Sequence, residues 1–223
     1  TRWILEAAYH CIRRDNPDLV YCTTNDFIFH HAAPGEREAQ EQIAAVDEYI
    51  NRICTMDPDR QIYITADHGM NQKTTIVNFQ ALAQNEGFSL YCLPPLKDRY
   101  VENHIYQEGG MLYVFLKDSG QARAFVEFAK RQSQVEAVLT AGQAAELYHL
   151  PVSQIGDYVL LAAEGCAFGE VEGESLNTLE SRTHGSLYER EIPLVAVHPA
   201  APAGQYSWNK DIAVRLLEQL EHS

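Results

Sequence analysis

Three short apolar runs constrain this chain most: "LVYC" at 19–22, "IYITA" at 62–66 and "IPLVAV" at 192–197. Each is too short for a helix, and none alternates apolar with polar residues as a half-exposed strand would. Runs of this kind read as strands covered on both faces. Helical patterns lie between and before them. Residues 3–14 put Trp3, Ile4, Ala7, Ala8, Cys11 and Ile12 on one face, and Asn16-Pro17 stops the pattern. From Glu36 to Ile53, Ala39, Ile43, Val46, Ile50 and Ile53 recur at steps of four and three, with Glu36 and Glu38 placed for the N-terminal dipole. Helix, strand, helix, strand in that order predicts an α/β fold whose sheet is largely parallel and covered by helices.

The texture changes after residue 73. A short strand, a small helix with Asn78 as cap and Gly87 as stop, and a turn-rich break at "PPLKDRY" come first. "MLYVFLKD", "QARAFVEFAKRQ", "VEAVLT" and "AGQAAELYHL" then read as strand, helix, strand, helix. We therefore expect an inserted α+β cap lobe at 72–160 within a core made of 1–71 and 161–223. An ordinary loop is the preferred reading of His104 and of a Gly109-Gly110 hinge, with a role as cap elements the alternative. "DYVLLAAEGCAFG" returns to a strand, "EREIPLVAVHP" holds a final core strand, and "NKDIAVRLLEQLEH" is a closing amphipathic helix capped by Asn209.

The 223 residues carry a net charge of −14. That sign argues against nucleic acid and against an anionic membrane, since both recruit basic patches. No run approaches 18 apolar residues. The five cysteines include no CxxC pair and sit mostly among apolar neighbours, as buried thiols of a reducing, cytoplasmic compartment would. Nothing in the sequence specifies an oligomeric state.

Chemistry gathers where the strands stop. Asp26 and His30 follow the first run, four residues apart, so one helical turn brings them to the same side. Asp67 and His68 end the second run. Neighbours in a strand face opposite ways, so these two share a ligand only if the strand has ended, and Gly69 eases that turn. His184-Gly185 lies in the polar stretch "SRTHGSLYEREIPL" before the last core strand. In open parallel sheets, sites form outside the carboxyl ends of strands. Imidazole nitrogen with carboxylate oxygen suits zinc, or another divalent transition metal, better than magnesium. His31 competes with His30, and only the spacing favours His30.

"TTNDFIFHHAAPGEREAQ", "YITADHGM" and "SRTHGSLYEREIPLVAV", in that order, resemble the metal-binding motifs of the alkaline phosphatase superfamily. The surrounding context, including "LPVSQIGDYVLLA" and "CAFG", is most similar to the phosphonoacetate hydrolases within it. The resemblance spans nearly the whole chain. It implies an alkaline-phosphatase-like core with two Zn2+ (or Mn2+ or Fe2+). Asp26, His30 and His184 would bind one metal, and Asp67 and His68 the other. It further implies a small phosphonate or phosphoester substrate and, in the phosphonoacetate case, cleavage of a C–P bond to acetate and phosphate by a threonine nucleophile. The nucleophile and one more metal-binding aspartate have no match here and are expected upstream of Thr1, so little or no turnover is expected of this chain alone. A nucleotide pyrophosphatase/phosphodiesterase, a phosphoglycerate mutase-like enzyme, and a non-catalytic metal-binding module are the alternatives.

Overall fold

The computed structural model describes residues 1–94 and 108–221. Most of the "PPLKDRY" break and His104 lie outside the described residues. The chain divides into two compact units, residues 1–67 with 192–223, and residues 68–191.

The first unit is built on two helices. α1 (Arg2–Asp15) and α2 (Arg37–Met56) form where predicted, but they pack through Leu5, Ala45 and Tyr49, none of them in the predicted stripes, with Tyr9 and Val46 alongside, while Trp3, Cys11 and Ile43 are exposed. Asn16 in the left-handed region ends α1, and its N–H is received by the Ile12 carbonyl. The Arg52 guanidinium lies 4.6 Å from the Tyr9 ring centre and 4.9 Å from that of Tyr49. β1 (Ile62–Thr65) pairs with β9 (Leu194–Val197), and the pairing is antiparallel. α6 (Lys210–Glu221) closes the unit. Its first turn is held by the Asp211 carboxylate, which accepts from the Ser207 and Trp208 N–H groups, rather than by Asn209 as expected.

Two expectations fail in this unit. Residues 19–22 belong to no strand, and Leu19, Val20 and Tyr21 are exposed. Likewise β9 is mostly exposed rather than a core strand. Strands that read as doubly covered need neighbours on both faces and both edges. Among the described residues β1 and β9 pair only with each other.

The second unit holds two sheets. β3 (Leu90–Leu93), β4 (Met111–Leu116), β6 (Tyr158–Ala162) and β5 (Val135–Thr140) form an antiparallel sheet in the order β3-β4-β6-β5. α3 (Phe79–Asn85) and α4 (Ala122–Lys130) contribute Phe79, Phe125 and Phe128 to the main core, where Val114 and Leu160 are fully buried. α5 (Ala141–Tyr148) contributes Ala144 to a second cluster with Ile155, Val159 and Leu161. The caps are local and legible. Asn78 accepts from the Ala81 N–H at 3.1 Å, Gly87 takes φ +89°, and Thr140 and Gln143 complete a capping box.

The other sheet, β7-β2-β8, leads to the candidate site. β2 (Asn71–Val77) pairs parallel with β7 (Cys166–Phe168) and antiparallel with β8 (Ser175–Thr183). The α/β class stands, but the strand directions differ from expectation: β2–β7 is the one parallel pairing among the described strands. The sequence pattern reports burial, and burial does not encode direction. The cysteines also differ. Cys92 alone is buried, and burial pushes its thiol up to about 12, whereas Cys11 and Cys22 are exposed. Among the described residues, no helix is long and apolar enough to cross a membrane.

Candidate metal centre

In the first unit, Asp26 stands at the head of a single 3-10 turn, Phe27–His30. The turn brings His30 Nε2 to 3.2 Å from Asp26 Oδ2. Two donors bound tetrahedrally to one ion at about 2.0–2.1 Å lie about 3.3 Å apart, so this separation suits two ligands as well as it suits a hydrogen bond. His30 is buried while Asp26 is half-exposed. His31 is exposed and lies against Phe27, with ring centres 4.9 Å apart. β1 ends at Thr65, so Asp67 and His68 fall in irregular chain beyond the strand. Asp67 is exposed there.

In the second unit, His68 and His184 stack. Their ring centres are 3.5 Å apart and their planes 11° from parallel. His68 Nδ1 lies 2.9 Å from the Gly69 carbonyl oxygen. A carbonyl only accepts, so Nδ1 is the donor in this contact. Ligating histidines make this contact, with the second nitrogen donating to a backbone carbonyl.

Backbone contacts fix both histidines. The Gly110 N–H donates to the His184 carbonyl at 2.8 Å, and the Gly110 carbonyl accepts from the Ala162 N–H at 2.8 Å. Gly109 is bonded to Phe168 in both directions. The two glycines are thus pinned backbone rather than a hinge. A Cβ on Gly110 would stand 2.2 Å from the Ser186 nitrogen. Gly185 takes φ +97°, which an L side chain rarely adopts. Gly69 has no such φ. Its N–H donates to the Glu189 carbonyl at 2.7 Å, and a Cβ there would stand 3.2 Å from that oxygen, a tight contact that a shift of a few tenths of an ångström relieves.

Sequence reasoning missed the group beneath these histidines. Lys73 and Glu189 form an ion pair at 2.7 Å, with side chains 0% and 1% exposed. Glu189 also accepts from Asn71 at 3.0 Å, from the Ser186 N–H at 2.9 Å and from the Ser186 hydroxyl at 2.6 Å. Burial alone would raise the Glu189 carboxyl. The hydrogen bonds from Lys73 and Ser186 outweigh it and hold the group below the ordinary glutamate range. One signal was present: Ser186-x-x-Glu189 is a capping-box spacing, and it caps the short turn Leu187–Glu189.

The threonines near these motifs are committed elsewhere. The Thr183 hydroxyl is buried and donates to the Glu108 carbonyl at 2.7 Å. The Thr65 hydroxyl donates to the Pro193 carbonyl at 3.0 Å.

The chain is similar to known proteins over most of its length. Residues 1–187 match the family model described as type I phosphodiesterase / nucleotide pyrophosphatase. The phosphonoacetate hydrolase from Sinorhizobium meliloti 1021, solved with phosphonoformate and with phosphonoacetate, superposes with a TM-score of 0.84 at 26% identity. That match covers 97% of this chain and 55% of the hydrolase. Murine ectonucleotide pyrophosphatase / phosphodiesterase 5 gives a TM-score of 0.57 at 15% identity over 86% of this chain and 50% of its own, a likeness of fold. The chain thus spans about half the length of the solved proteins it matches. It belongs to the type I phosphodiesterase / nucleotide pyrophosphatase family of the alkaline phosphatase superfamily.

Proposed function

We propose that this chain is the metal-binding portion of a phosphonoacetate hydrolase-like enzyme that cleaves a small phosphonate. The observation that carries this reading is the 0.84 TM-score over 97% of the chain to a hydrolase solved with phosphonoacetate itself. Asp26, His30 and His184 hold one divalent ion, and Asp67 and His68 hold a second, with zinc the best match to the donors. When bound, such a pair supplies Lewis-acid polarisation of a phosphoryl group and lowers the pKa of bound water.

The residues' own work is positioning. The turn at Phe27–His30 sets the Asp26 oxygen and the His30 nitrogen at ligand spacing. The Gly69 carbonyl, 2.9 Å from His68 Nδ1, orients that ring. The C–P bond would break by attack of a hydroxyl on phosphorus, leaving acetate as a carboxylate-stabilised carbanion that takes up a proton. We assign the attack to neither Thr183 nor Thr65, whose hydroxyls donate to the Glu108 and Pro193 backbone carbonyls. The lobe at 72–160 shapes specificity.

The first centre offers two imidazoles and one carboxylate, and the second offers one of each, so the first binds more tightly. Calorimetric titration with Zn2+ tests this. We expect two unequal steps in the wild type and loss of the tighter one in His184→Ala. Two equal steps, or wild-type affinity in the variant, would refute the assignment. A phosphodiesterase or pyrophosphatase is the second reading, favoured by the family match over residues 1–187. Faster release of product from a phosphate diester than of phosphate from phosphonoacetate would select it.

A further inference from the structure

Lys73 lies outside the three motifs and Glu189 inside the last of them with no role assigned to it, yet each bond of the pair runs between neighbours of the two stacked histidines. Asn71 and Lys73 follow His68 by three and five residues, and both donate to Glu189 Oε1. Ser186 follows His184 by two, and both its N–H and its hydroxyl donate to Glu189 Oε2. The Glu189 backbone carbonyl accepts from Gly69, which follows His68 directly. One carboxylate and its own carbonyl thus tie the chain around His68 to the chain around His184.

We propose that Glu189, held by Lys73, is the positioning residue of this centre: it locks the 184–189 loop onto β2 so that the two imidazoles stand ring to ring. The inference rests on the reading of His68 and His184 as ligands, and it adds the group that sets their geometry. Glu189 does not touch substrate or metal. It acts by fixing backbone. A buried carboxylate with four donors has essentially one low-energy placement, because any shift of the loop leaves a charge or an N–H without its partner. Residues supporting metal ligands in this manner contribute about tenfold to a hundredfold in metal affinity.

The test compares E189Q with F125L, a core substitution far from this loop in sequence that serves as the stability control. The first readout needs no metal. In the metal-free protein, the His68 and His184 ring protons carry mutual ring-current shifts, read by imidazole NMR. We expect E189Q to lose these shifts and F125L to keep them. The second readout is titration with Co2+ alone, followed by its d–d absorption. We expect E189Q to bind about tenfold to a hundredfold more weakly and F125L to bind as the wild type does. If E189Q does not fold, S186A, which removes one of the two Ser186 bonds, is read by the same criterion and should lose part of the ring shift. Unmoved ring shifts in E189Q, or in S186A where it stands in, overturn the proposal. Equal loss in F125L overturns it as well, by reducing the effect to general instability. Failure of the wild type to bind Co2+, with the ring shifts behaving as expected, would sink the metal reading and leave the positioning role in place.

Discussion

Gly110→Ala is the sharpest probe of how the His184 loop is held. The added Cβ would lie 2.2 Å from the Ser186 nitrogen, 2.5 Å from its Cβ and 2.6 Å from its Cα. Non-bonded carbon contacts are comfortable at about 3.5–4.0 Å, so the two backbones must part by about 1 Å. Two of the three obstacles are backbone atoms, which no rotamer change can move. The separation stretches the bond from the Gly110 N–H to the His184 carbonyl and strains the one from Ala162 to Gly110. Overpacking costs about 1–3 kcal/mol, and each buried backbone bond left unmade costs about 1–3 kcal/mol more. We expect a total loss of about 3–5 kcal/mol, read from the urea midpoint at constant m. Gly142 is the control. It sits in α5 with nothing within 4 Å of its Cβ position and no left-handed φ. Gly142→Ala should stabilise by about 0.4–1 kcal/mol. If Gly110→Ala lay within about 1 kcal/mol of the wild type, the packing of Gly110 on Ser186 would not be the clamp described.

Two further outcomes follow from the same unit. The lowered Glu189 carboxyl contributes stability that is complete above its ordinary pKa of 4.5 and is lost as pH falls through the lower folded value. Lys73→Met removes a cation whose hydrogen bond and charge both lower it, so burial then pushes the carboxyl upward, and acid destabilisation should begin at a higher pH in urea midpoints measured from pH 7 to pH 3; an unshifted onset would contradict the assigned cause. Thr140→Ala removes one half of the α5 capping box and should cost about 1 kcal/mol, seen as a small fall in thermal midpoint.

Local chemistry was legible in the sequence, and long-range partnership was not. The helices appeared through periodicity, and their ends through Asn16, Asn78 and Gly87, because capping is settled within a few residues. β8 did not appear. "SLNTLESRT" lacks an apolar stripe, and two of the residues it buries are Ser181 and Thr183, whose hydroxyls are satisfied by Glu108. Lys73 failed for the same reason. A lysine between polar residues reads as exposed unless its partner is known, and that partner is 116 positions away. Among the candidate ligands, the four-residue spacing of Asp26 and His30 was readable because one turn realises it. The stacking of His68 on His184 was not, since it depends on Gly69, Gly110 and Glu189 acting together.

Stability alone does not account for a lysine and a glutamate buried beneath this loop. Desolvating two charges is costly, and a well-packed apolar pair of similar volume is often as stable or more so. An apolar pair, however, is indifferent to small displacements. Leucine against methionine tolerates a slide of an ångström with little loss, and such a slide would carry the His184 imidazole off its stack. The four donors around Glu189 come from two separate stretches of chain, at 71–73 and at 186, so their bonds cannot all survive a slip of one stretch along the other. The β2–β8 register itself shifts between Lys73 and Thr75, so the ladder does not enforce this alignment unaided. The ion pair supplies the missing specification. It trades indifferent packing for one allowed placement, at the point in the fold where the two imidazoles stack.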